Sequence, residues 1–134
     1  MILVDTNILG ALARVDRIEL LLDLFGQDEI GVCPAVYAEL LAGTREGRQF
    51  PQAAVDLVEN RTIRLIAPTS DEVLARQKLP TSLDSGEAES ITVCLARGAA
   101  FLTNDRRARN FCLAQGIEHR EGMVIKHQDH IFAK

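Results

Sequence analysis

Long apolar runs, net positive charge and paired cysteines are all missing from this 134-residue sequence. No stretch approaches the ~20 apolar residues that a membrane span needs. The N-terminus has no basic region and its apolar run, Ile2-Leu3-Val4, is too short for a secretory signal. Cys33, Cys94 and Cys112 show no CxxC or other metal-ligand spacing. Each lies in an apolar run, where cysteine behaves as a small hydrophobe. An odd number without a framework suits a reducing compartment, so a cytoplasmic location is expected. The formal charge of −4 leaves no whole-chain basic footprint. A polyanionic partner would have to meet a local patch or a metal ion. There is no Gly-rich phosphate loop, which counts against P-loop and dinucleotide-binding proteins, and no nucleophile elbow, which counts against a serine hydrolase. Linkers, low-complexity tracts and repeats are absent.

What is present is an ordinary globular composition, 47% hydrophobic and 25% charged, read as one domain over residues 1–134. Ile2-Leu3-Val4 is a short buried strand, and Ile8, Leu9, Leu12 and Ala13 follow at helical spacing. Ile18 to Phe25 form a second helix, closed near Gly26. Ile30-Gly31-Val32-Cys33 is a second strand, and Pro34 opens a helix running to Gly43. A polar break over residues 44–51 precedes a helical stretch at Ala53 to Val58. Ile63-Arg64-Leu65-Ile66 is a third strand. Thr69 or Ser70 caps a helix bearing Val73, Leu74 and Leu79. After a turn-rich segment at 80–86, a helix places Ala88, Ile91, Thr92 and Leu95 on one face, stopped by Gly98. Ala100-Phe101-Leu102 is a fourth strand, followed by a helix through Ala108, Phe111 and Cys112 that ends at Gly116. Met123-Val124-Ile125 is a candidate edge strand. The alternation predicts an α/β fold, a central parallel sheet with helices on both faces.

Asp5 stands where the first strand hands over to a helix, at the sheet edge where ligands bind in open α/β folds. Asp is also a good helix N-cap, and taken alone that is the commoner role. Asp105, in Thr103-Asn104-Asp105, repeats the pattern after the fourth strand, so both aspartates share one edge. Glu39 lies early in the helix after the second strand, near the same edge. Glu87 and Glu89 point about 200° apart around their helix, so at most one faces a shared site. Glu87, one turn before Ile91, projects along the buried face and is preferred; Glu89 and Asp84 stand in reserve. A first-turn Glu also favours the helix dipole without any further role. Several carboxylates at one edge suit a hard divalent cation, which can orient a water and stabilise a leaving oxygen in phosphodiester cleavage.

Asp5-Thr6-Asn7 after an N-terminal strand, Ala38-Glu39-Leu40-Leu41, Gly86-Glu87-Ala88-Glu89-Ser90-Ile91 and Leu102-Thr103-Asn104-Asp105 occur in this order. Together, over residues 1 to about 115, they resemble the PIN domain family, metal-dependent nucleases that include the toxins of VapBC toxin–antitoxin pairs. The resemblance implies a three-layer α/β/α domain, PIN-like and Rossmann-like, whose quartet Asp5, Glu39, Glu87 and Asp105 binds Mg²⁺ or Mn²⁺. Thr6, Asn7 and Thr103 would be polar supports. Many relatives have Asp at the third acidic position, where this chain has Glu.

The expected function is therefore a Mg²⁺-dependent endoribonuclease, and within the family the toxin of a type II toxin–antitoxin pair. That implies an RNA substrate, a homodimer and a small cognate antitoxin bringing an arginine to the carboxylates, with no membrane association. The alternative from another class is a catalytically silent PIN-fold binding or scaffold protein. A receiver domain fits poorly, for lack of an acidic pair after the first strand and of a placed Lys. Arg106 and Arg107, followed by Arg109, could meet RNA phosphates beside the site, as could Arg45 and Arg48; solvated surface arginine is the ordinary alternative. His119, His127 and His130 read as surface residues, and Tyr37 and Phe25 as packing.

Overall fold

The computed structural model describes residues 1–47 and 51–116. Arg48, the three histidines and the candidate strand at 123–125 lie outside those residues. The order is β1 (Ile2–Val4), α1 (Thr6–Arg14), α2 (Glu19–Phe25), β2 (Ile30–Val32), α3 (Pro34–Arg45), α4 (Pro51–Glu59), β3 (Arg64–Leu65), α5 (Ser70–Ala75), a 3-10 turn (Arg76–Lys78), α6 (Ser85–Arg97), β4 (Ala100–Leu102) and α7 (Arg106–Ala114). The sheet is four-stranded, in the order β3-β2-β1-β4. Every pairing in it is parallel, with Ile2 opposite both Ile30 and Ala100, and Val4 opposite Leu102.

Parallel strands are covered on both faces, which is why β1, β2 and β4 read as continuous apolar runs. Side chains alternate between the two layers. Ile2, Val4, Ile30, Val32, Ala100 and Leu102 join the core built with α1 to α4. Leu3 and Phe101 point the other way, into the core formed with Ile91 and Cys94 of α6 and Ala108 and Cys112 of α7. The result is a three-layer α/β/α arrangement. All three cysteines are buried and unpaired; burial pushes the Cys33 thiol up to about 11 and Cys112 up to about 12, which makes them inert packing groups.

Three local expectations change. Helix α3 runs past Gly43, which is buried within it, to Arg45. Leu95, expected on the buried face of α6, is 43% exposed. The helix is exposed continuously from Leu95 to Gly98, so its last turn projects beyond the packed layer. Gly98 then ends it at φ 66°, a left-handed conformation that glycine adopts without a Cβ penalty. Helix α5 stops at Ala75, short of Leu79, and on it Val73 and Leu74 face solvent while Glu72 is buried. Glu72 completes a capping box with Thr69 and accepts two hydrogen bonds from Arg97, at 2.9 and 2.8 Å. A short helix with one buried charge needs that pairing, because an unpaired buried carboxylate is costly.

Candidate metal centre

Asp5 follows β1 directly and occupies the N-cap position of α1, with extended backbone angles. Its side chain nevertheless makes no cap hydrogen bond. The carboxylate is only 3% exposed, and its Oδ2 accepts from the Thr103 hydroxyl at 2.7 Å. Thr103 Oγ1 in turn accepts the Asp105 N–H at 3.1 Å. One hydroxyl therefore ties the segment after β1 to the segment after β4, across adjacent strands whose ends are in register. The ordinary reason for an Asp at this place, capping, does not apply here.

Burial raises the Asp5 carboxyl from 3.8 to about 6, against the pull of the Thr103 hydrogen bond, and the charges of Asp84 and Asp105 push it further. Glu87 is also buried and is raised to about 7, chiefly by desolvation, with Asp84, Asp105 and Asp5 adding to the rise. Its Oε1 accepts the Asp84 N–H at 3.1 Å, while Asp84 Oδ1 accepts the Glu87 N–H at 2.8 Å. This capping box fixes the entry of α6. Glu39, on the exposed side of α3, is raised by desolvation and by Asp84 and Asp5; the Thr6 hydroxyl and the Gly86 N–H, which face it, pull the other way. Asp105 caps α7 through Oδ1 to the Ala108 N–H at 3.0 Å.

At the carboxyl edge of the sheet Asp5 thus lies within electrostatic reach of Glu39, Glu87 and Asp105, and Glu87 also feels Asp105. Asp84 joins them as a fifth carboxylate, felt by Asp5, Glu39 and Glu87 alike. Its D-x-x-E spacing to Glu87 is a sequence signal for a capping box, and it marks the residue that sequence reasoning held only in reserve. Glu89 does not face the cluster: its Oε1 accepts the Ala35 N–H at 2.9 Å and its Oε2 lies 3.7 Å from Arg76. The buried Thr6 hydroxyl faces Glu39 but falls outside good hydrogen-bond geometry with any described residue. Asn7 is exposed, and Arg106 and Arg107 are exposed on the first turn of α7.

Among the described residues no ion pair with Lys or Arg neutralises the four acids, and no three side chains are gathered tightly enough to hold an ion as placed. Like charges without a counter-ion repel and raise each other's pKa values, the condition seen here. The donor set, carboxylate oxygens with no nitrogen or sulfur ligand among them, fits a hard divalent cation.

A parallel three-layer domain with acids at the carboxyl ends of its central strands has its candidate ligand site at that sheet edge. The profile of a family described as a PIN domain matches residues 1–125, and the chain belongs to that family. PIN domains are usually nucleases, and those nucleases generally use divalent metals. No curated protein matches the chain in sequence. Among the described residues no helix is long and apolar enough to cross a membrane.

Proposed function

We propose that the protein is a metal-dependent endoribonuclease acting through Asp5, Glu39, Glu87 and Asp105. The observation that carries this reading is the Asp5 carboxylate: it is buried, bonded to Thr103, not used as a cap and, among the described residues, without a cationic partner. Natural proteins rarely keep a charge in that state unless a ligand completes it. A bound Mg²⁺ or Mn²⁺ would neutralise the cluster and supply Lewis-acid activation for in-line attack of water on an RNA phosphodiester. The protein's own part is positioning. Thr103 orients Asp5; the capping box holds Glu87 by Oε1; the helix α7 cap holds Asp105. Arg106 and Arg107 stand next to Asp105 in the sequence and are free to meet RNA phosphates.

Within this reading the protein is the toxin of a type II toxin–antitoxin pair and acts as a homodimer in the cytoplasm. An acidic cluster with no cationic partner among the described residues is complementary to an arginine, which is how an antitoxin would silence it. A second reading, a silent PIN-fold scaffold, draws on the absence of a preassembled ion-binding trio among the described residues. Cleavage of a structured RNA panel by wild type, Asp5→Asn and Asp105→Asn, with Mg²⁺, Mn²⁺ or EDTA, separates them. Divalent-dependent cutting lost in both folded variants supports the nuclease. Cutting unchanged in both sinks the mechanism, and no divalent binding by calorimetry favours the scaffold.

A further inference from the structure

Helices α3 and α6 carry two of the four acids, Glu39 and Glu87, and a clasp joins their N-terminal turns. The start of α3 has no local cap. Cys33 at the N-cap makes no side-chain hydrogen bond, and Pro34 has no N–H to offer. The first orphaned donor is the Ala35 N–H, and Glu89 of α6 accepts it from 54 residues away. The Glu89 side chain is 14% exposed, with Arg76 beside its second oxygen. One turn along α3, Glu39 Oε1 lies against Gly86, one turn earlier on α6. A Cβ at position 86 would overlap that oxygen and come within 3.2 Å of Val36 Cγ2. The two contacts, Ala35 with Glu89 and Glu39 with Gly86, run in opposite senses along the two helices and set one register.

We infer that Glu89 is a positioning residue: by holding the N-terminus of α3 against α6 it seats the Glu39 carboxylate over Gly86, facing the acidic cluster. Each position of Gly86-Glu87-Ala88-Glu89 then has its own task. Gly86 leaves room for Glu39, Glu87 faces Asp5 and Asp105, Ala88 packs in the core, and Glu89 clasps α3. The inference rests on the metal-site reading, but the clasp can be tested apart from it. An ordinary helix cap would contribute to stability alone. A positioning residue also changes how the site takes an ion.

The test is Mn²⁺ titration calorimetry, thermal melting and amide exchange on the full chain, for wild type, Glu89→Ala, Glu89→Gln and Gly86→Ala. Glu89→Ala is expected to weaken Mn²⁺ binding about 10-fold and to speed exchange at the Ala35 amide. Glu89→Gln keeps a carbonyl acceptor for that amide and should recover binding to within about threefold. Gly86→Ala leaves the Ala35–Glu89 bond in place but displaces the Glu39 carboxylate, so it should keep the Ala35 amide protected as in wild type while binding Mn²⁺ about 10-fold more weakly. Folded Glu89→Ala that binds Mn²⁺ like wild type overturns the inference, as does an Ala35 amide equally protected in that variant. If Glu89→Ala fails to fold, wild-type binding by Gly86→Ala overturns it. If wild type binds no Mn²⁺, the metal-site reading falls and with it the positioning role, while exchange at Ala35 still decides whether the clasp exists.

Discussion

Replacing Asp5 by Asn should make the metal-free protein more stable, the reverse of what losing a buried hydrogen-bonded residue ordinarily does. The wild-type carboxyl is raised from 3.8 to about 6 by burial. At 1.36 kcal/mol per tenfold in proton affinity, folding with that group ionised costs about 3 kcal/mol. The sign follows from the direction. A carboxyl raised in the folded state carries no penalty well below 3.8, accumulates it as pH rises towards 6, and carries all of it above. Asn removes the charge and still offers Oδ1 to the Thr103 hydroxyl, but buries an amide NH₂ at a cost of about 1 kcal/mol. The net gain at pH 8 is about 2 kcal/mol, or roughly 6 °C in melting temperature for a domain of this size. Near pH 4.5 the two proteins should melt together, because most of the wild-type penalty has gone. The assay is thermal melting in EDTA at pH 4.5 and 8, repeated with Mn²⁺ at pH 8. Manganese should raise the wild-type melting temperature and leave Asp5→Asn where it was. An Asp5→Asn protein less stable than wild type at pH 8, or separated from it by a gap that ignores pH, would refute the argument that Asp5 is a strained, ligand-seeking carboxylate.

Thr103→Val removes both the donor to Asp5 and the acceptor of the Asp105 N–H; urea melts should show a loss of about 1–3 kcal/mol, and divalent binding should weaken as the segment after β4 loosens. The Glu72–Arg97 pair predicts acid sensitivity of the opposite sign to Asp5. Arg97 holds the Glu72 carboxyl down at about 2, so its contribution is present above about 4.5 and is lost as pH falls towards 2. With Arg97 one-third exposed, that contribution is about 1–2 kcal/mol after solvent screening. Glu72→Gln should therefore be less stable than wild type at pH 7 by that amount in urea titrations and close to it at pH 2.5; equal curves at both values would mean the pair contributes nothing.

Much of this molecule is legible one segment at a time. Ile2-Leu3-Val4 and Ala100-Phe101-Leu102 read as buried parallel strands because both faces of such a strand are covered, leaving no alternation to misread. Gly98 and Gly116 read as helix ends, and the capping role of Thr69 and the place of Pro34 at the start of α3 follow from local rules. The position of Asp5 and Asp105 at one sheet edge follows from strand polarity alone. Less legible are the outward turn of Leu95, which helical spacing grouped with Ile91, and which side of the short helix α5 is covered. Burial there is decided by where the neighbouring layer ends and by whether a charge such as Glu72 finds Arg97, 25 residues away.

The carboxylates divide in the same way. Residue types and order alone determine that acids follow β1 and β4, and that Glu39 and Glu87 sit early in the helices α3 and α6. Only the tertiary structure decides what each one does. It leaves Asp5 uncapped and bonded to Thr103, turns Glu89 away to hold Ala35, and adds Asp84 to the cluster. Local sequence dictates which backbone a carboxylate rides on, through propensity and periodicity, which act over a few residues. Its charge state and partners depend on desolvation and on groups 54 or 98 residues away, which only the packing of distant elements brings within hydrogen-bonding distance.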